Sequence, residues 1–142
     1  MPYKRPESRL IYEYMINRYS RFPQWRRVRV GPIPGKEPKE LYGVLRRWVD
    51  GIVFTGSKII LIEAKMKPDP AAIGQLLFYK KMFPLTPEFE MYKDYPIEME
   101  FVTTREDPMV KAQCKDNGIR YVVYRPKWVE EWEKEQAERY RE

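Results

Sequence analysis

The sequence predicts an α/β domain with a mixed β-sheet, and three observations carry that reading. Helical and strand patterns alternate along the chain, the apolar run Ile59–Ile62 has the length and character of a strand buried on both faces, and a Gly56-Ser57 turn joins two β-rich runs.

Pro6 opens the first helical pattern, in which Leu10, Ile11, Tyr14 and Met15 recur at helical spacing with Glu13 beside that face, fraying near Tyr19 and Ser20. Gln24 to Val30 alternates, Val28 and Val30 on one side and Arg27 and Arg29 on the other, as a half-exposed strand does. A Pro/Gly-rich loop is expected over 31–40. Val44 to Phe54 and Lys58 to Lys65 then form the two arms of the hairpin. Asp69 caps and Pro70 opens a helix over Ala71 to Phe83, and a three-proline loop is expected from Pro84 to Pro96. Ile97 to Thr103 is a strand, Pro108 to Asn117 a short helix stopped by Gly118, and Ile119 to Tyr124 a strand. The last helix, Lys127 to Arg141, carries Trp128, Trp132, Gln136 and Tyr140 four apart, a stripe expected to dock on the body or on a second copy. One domain over residues 1–142 is expected, with its core at about 7–125 and this amphipathic helix at about 127–141.

Composition narrows the chemistry. The 142 residues include no histidine and one cysteine, Cys114, which removes imidazole general bases, His-ligated zinc, intramolecular disulfides, Cys-based zinc knuckles and four-cysteine iron–sulfur clusters. A net charge of +6 favours a polyanionic partner. No apolar run approaches the ~20 residues that span a bilayer, so a cytoplasmic protein without a membrane partner is expected.

The hairpin register follows from its turn. With Gly56-Ser57 as a two-residue loop of the type II′ kind, Thr55 pairs with Lys58 and Phe54 with Ile59; continuing the ladder sets Asp50 opposite Glu63 and Trp48 opposite Lys65. Opposed residues project from the same face, and Lys65 lies two residues from Glu63, so two carboxylates and an ammonium gather on one face of an otherwise apolar strand pair. Such a pair is costly without a counter-charge, and a hard divalent cation, Mg²⁺ or Mn²⁺, suits oxygen ligands. The bland alternative is an exposed ion pair of Lys65 with either acid.

The segment VDGIVFTGSKIILIEAK followed by a helix beginning PAAIGQLLFY resembles the core of PD-(D/E)XK nucleases, the restriction-endonuclease-like fold. Asp50 matches the family's Asp, Glu63-Ala64-Lys65 its Glu-x-Lys, Gln75 to Tyr79 the QxxxY signature of RecB-like members, and Glu13 the acidic helix residue of many members. Val49 stands in place of the Pro of the family name. The resemblance implies a Mg²⁺- or Mn²⁺-dependent deoxyribonuclease, exonuclease or structure-specific endonuclease. Asp50, Glu63, the Ala64 carbonyl and Glu13 are then expected at the metal, and Lys65, Gln75 and Tyr79 in catalysis. Arg26, Arg27, Arg29, Arg46, Arg47, Lys67, Lys80 and Lys81 flank these elements and are expected to meet DNA phosphates, with RNA left open. A homodimer through the last helix is a further expectation. The alternative is a catalytically silent binding or assembly protein that keeps the fold.

Overall fold

The computed structural model describes residues 5–33 and 46–141. Most of the loop expected over 31–40 and the start of the strand expected from Val44 lie outside the described residues. The chain runs α1 (Pro6–Tyr19), β1 (Gln24–Val30), β2 (Arg47–Phe54), β3 (Ile59–Ala64), α2 (Ala71–Met82), β4 (Ile97–Thr103), α3 (Pro108–Asp116), β5 (Ile119–Val123) and α4 (Trp128–Arg141). The five strands lie in sequence order in one sheet; β1, β2 and β3 form an antiparallel meander, and β3, β4 and β5 run parallel. The α/β class and the mixed sheet are as expected.

The sheet is covered on both faces. Ala72, Leu76, Tyr79 and Met82 of α2, with Val110 and Cys114 of α3, pack on one side against Ile59, Leu61 and Phe101. Leu10, Ile11, Tyr14 and Met15 of α1 and Val129 of α4 pack on the other against Val53, Ile60 and Ile62. Double coverage explains why all six residues of β3, the middle strand between antiparallel β2 and parallel β4, are buried.

Two local expectations need correction. The segment from Pro84 to Pro96 contains two 3₁₀ turns, Phe83–Leu85 and Pro87–Tyr92, because Phe89 and Tyr92 must turn inward to meet Trp25, with ring centroids 5.2 and 5.7 Å away. Helix α2 begins at Ala71, with Pro70 at the cap position instead of inside the helix and Asp69 Oδ1 accepting from the Ala71 amide at 2.9 Å. The aromatic stripe of α4 divides: Trp128 and Trp132 pack on the α1 side of the protein's own core, whereas Tyr140 is exposed. No helix among the described residues is long and apolar enough to cross a membrane.

Where β2 crosses α1, a Cβ on Gly51 would lie 2.5 Å from the Met15 sulfur and 3.1 Å from its methyl, and Met15 is fully buried. Gly51→Ala is expected to destabilise the fold by about 1–3 kcal/mol through overpacking. Gly74→Ala, inside α2 with nothing within 4 Å of the new methyl, is expected to stabilise it by about 0.5–1 kcal/mol. Urea denaturation of the two variants checks both signs.

Candidate active site

The site forms where the hairpin opens. Positive φ occurs at Gly56 (94°) and not at Ser57, as a type II′ turn requires, and the Thr55 amide bonds to the Lys58 carbonyl at 3.0 Å. From there the ladder runs Phe54↔Ile59, Val53↔Ile60, Ile52↔Leu61 and Gly51↔Ile62, the expected register, and then stops. One step further on, Asp50 and Glu63 face each other without a backbone bridge. The Trp48–Lys65 pairing expected beyond them does not form; Trp48 pairs with Arg29 of β1 instead.

The splay leaves β3 backbone groups to satisfy. Lys65 donates its amide to Val102 of β4 at 3.0 Å, so by strand alternation the amide and carbonyl of Ala64 point the other way, into the gap beside β2. Asp50 Oδ2 accepts the Ala64 amide at 2.8 Å. This bond pins the carboxylate against β3, where it also hydrogen-bonds with the Glu63 side chain.

Glu63 is 4% exposed, and its Oε1 has no hydrogen-bond partner among the described residues. Lys65 Nζ lies 3.5 Å from Glu63 Oε2. Burial first, and then the facing Asp50 charge, push the Glu63 carboxyl up from 4.5 to about 8, while Lys65 opposes the rise. Burial also raises the Asp50 carboxyl, against the lowering effects of the Ala64 amide, Lys65 and Arg5. Tyr79 on α2 is pushed upward by burial and by the charges of Glu63 and Asp50, with Arg47 opposing, which places its hydroxyl in the same field. Gln75, one helical turn earlier, carries a buried Oε1 without a partner among the described residues.

The structure therefore gathers Asp50, Glu63, Lys65 and Tyr79, with Gln75 on the same helix. It does not bring Glu13 to them. Glu13 Oε2 accepts from Arg9 Nε and Oε1 from Trp128 Nε1, each at 2.9 Å. The α1 wall beside Asp50 is made instead by Ser8, Ile11 and Tyr12, and Glu13 follows Tyr12 by about a quarter turn. No cluster of three acidic, cysteine or histidine side chains able to hold a metal exists among the described residues.

The basic residues separate by environment. Arg5, Arg26 and Arg27 line a hollow of about 560 Å³ with Asp50, Ser8 and Tyr12. Arg26 stacks on Tyr12, and Arg47 lies over Phe78. Arg46 is paired with Glu88 at 2.7 Å, and Lys67 is exposed in the field of Glu133. Lys80 and Lys81 are exposed in the last turn of α2. Arg5 and Trp48 were not singled out by sequence reasoning; Arg5 lies outside every motif, and for Trp48 the signal was its place two residues before Asp50.

Known structures share this architecture. A repair endonuclease from Pyrococcus abyssi aligns over 87% of this chain and 49% of its own, at a TM-score of 0.56 and 17% identity. EndoMS in a complex with dsDNA aligns over 84% and 45%, at 0.53 and 16% identity. AF1548, a protein of unknown function, aligns over 81% and 56%, at 0.51 and 12% identity. The chain thus spans about half the length of the solved structures it matches, and it shares with them an α/β fold that nucleases also use. No protein-family model and no curated protein matches the sequence.

Because the folded Glu63 carboxyl is raised above its unfolded value, its contribution to stability is present below about pH 4.5 and lost as pH rises through about 8. Glu63→Gln removes the buried negative charge. In EDTA the variant is expected to be more stable than the parent near pH 9 and nearly equal to it near pH 4, as checked by urea denaturation at both values.

Proposed function

We propose that the protein is a metal-dependent nuclease that hydrolyses nucleic acid phosphodiester bonds, DNA foremost, at a centre formed by Asp50, Glu63 and Lys65. The observation that carries this reading is the buried Glu63 carboxylate, with an oxygen left without a partner among the described residues, facing the half-buried Asp50 carboxylate beside an ammonium. A buried acid in that state costs stability unless a ligand uses it. The fold shared with a repair endonuclease and with EndoMS in its dsDNA complex supports the same reaction class and the same kind of partner.

The donors fit Mg²⁺ or Mn²⁺. Asp50, Glu63 Oε1 and the Ala64 carbonyl would supply hard oxygens, and two carboxylates suffice for a cation that keeps waters and takes further oxygens from phosphate. Such an ion supplies Lewis acidity at the scissile phosphate and makes an attacking water available near neutral pH. Lys65, held by Glu63, would orient an attacking water and offset negative charge growing on the phosphoryl oxygens. Tyr79 braces Glu63 from α2, and Gln75, with its unpartnered oxygen, orients water or the substrate backbone. Glu13 stays out of this set, since both its oxygens are engaged. The Gln75 and Tyr79 pair favours a RecB-like, end-directed exonuclease over a paired-cut endonuclease, which needs two sites related by symmetry.

Labelled DNA incubated with Mg²⁺ or Mn²⁺ is expected to be cut by the parent protein, with Lys65→Ala and Glu63→Ala each slower by about 10²–10⁴-fold. Equal activity in all three removes the mechanism, and a protein that binds DNA without cutting it is the silent alternative. In a separate readout, Mn²⁺ is expected to raise the melting temperature of the parent and not of Glu63→Ala or Asp50→Asn.

A further inference from the structure

Beside the site, β2 presents an aromatic ring that the reaction scheme does not use. Trp48, two residues before Asp50, is 44% exposed on the sheet's outer strand pair. The Arg29 guanidinium lies 4.7 Å from the centre of its ring and that of Arg27 5.2 Å from it. Neither arginine pairs with a carboxylate among the described residues.

These residues line a groove of about 540 Å³ with Trp25, Val28, Phe89 and Tyr92. Its acid, Glu88, is already neutralised by Arg46. The surface therefore offers aromatic area with positive charge that no further carboxylate among the described residues compensates, which suits a ligand that is both aromatic and anionic. A purely apolar partner would leave the two guanidiniums to be desolvated without a counter-charge.

Arg27 links this groove to the hollow at Asp50, since it lines both. It is also the one non-glycine residue with positive φ (51°) among the described residues. In the β1–β2 ladder the position opposite Asp50 is the one left unbridged, between Arg26↔Gly51 and Val28↔Val49. A strained arginine at that place is where cation and chain path are set together.

We propose that the Trp48 groove is a single-strand stacking site. An unpaired base lies on the indole, and the phosphates on either side of it meet Arg27 and Arg29, so that the strand runs past Arg27 into the Asp50 hollow. A base within a duplex is already stacked on both faces, and only a freed one can use the ring. The inference rests on the nuclease reading for the destination of the strand, and it names the substrate form: single-stranded nucleic acid or a frayed end.

The test is binding by fluorescence anisotropy in EDTA, where no metal-dependent cutting occurs, using labelled oligo(dT), an abasic strand of equal length, and a blunt duplex. The parent is expected to bind oligo(dT) about tenfold more tightly than the abasic strand. Trp48→Ala removes most of that preference, and Trp48→Phe keeps most of it. Arg29→Ala weakens both strands alike and lowers the dependence of log affinity on log salt by about one unit. Equal affinity for the base-bearing and abasic strands overturns the proposal without recourse to any variant. So does a preference that Trp48→Ala leaves intact, or tighter binding of the duplex than of oligo(dT). A protein that shows the base preference but never cuts overturns the nuclease reading and leaves the stacking site standing.

Discussion

Asp50 Oδ2 accepts the Ala64 amide across the gap where β2 leaves β3, and this bond replaces a rung that the ladder lacks. Without it an inward-facing amide of a wholly buried strand would have no partner, at a cost of about 1–3 kcal/mol. With it the strands can diverge just beyond Gly51↔Ile62 and still hold a defined geometry. That divergence lets the Asp50 carboxylate reach the Ala64 amide while it stays beside Glu63, whose carboxyl it pushes upward. One side chain thus caps the backbone and contributes an oxygen to the site.

A second buried glutamate shows what a purely structural acid looks like in the same sheet. Glu100 on β4 is 1% exposed and accepts from Tyr14 at 2.7 Å, from Tyr19 at 2.5 Å and from Arg120 at 2.9 Å. Three donors make its charge tolerable, and they tie α1 and β5 to β4. Burial, with Glu100 beside them, raises both tyrosine hydroxyls, so they remain donors throughout the physiological range. Glu63, on the neighbouring strand and nearly as buried, has an oxygen with no such donor among the described residues. The contrast between the two is what makes Glu63, and not Glu100, the acid assigned to the proposed reaction.

Much of this was legible because a tight turn fixes a sum of paired positions. Once Gly56-Ser57 was read as the loop, the apposition of Asp50 and Glu63 followed by arithmetic, and the apolar run around Glu63 implied burial. What the arithmetic could not show was where the ladder ends, because that depends on the Asp50 carboxylate outcompeting a backbone rung. Glu13 was misplaced for a related reason. Its spacing on α1 is compatible with several directions, and the choice was made by Trp128, 115 residues later. The positive φ of Arg27 carried no signal: alternation marks which side of a strand a residue faces, and a single reversed φ leaves the alternating pattern of the sequence untouched.

Net charge was the weakest guide, since the eight basic residues it drew attention to do different things. Arg46 is held by a glutamate, Lys67 lies in the field of another, and Lys80 and Lys81 sit at a helix C-terminus that favours cations on its own account. Those that remain directed at the opening are Arg26 and Arg27, joined by Arg5 from the start of α1. Their effect reaches the acids as well. Burial drives the Asp50 carboxyl upward, and Arg5 is among the charges that draw it back toward the ionised form. In the proposed reaction an arginine at the mouth of the hollow would favour anions in two places at once: the carboxylate that would hold the cation, and the phosphate that would approach it. With phosphate bound, that help to Asp50 would be partly withdrawn, leaving Lys65 and the cation to keep the pair ionised.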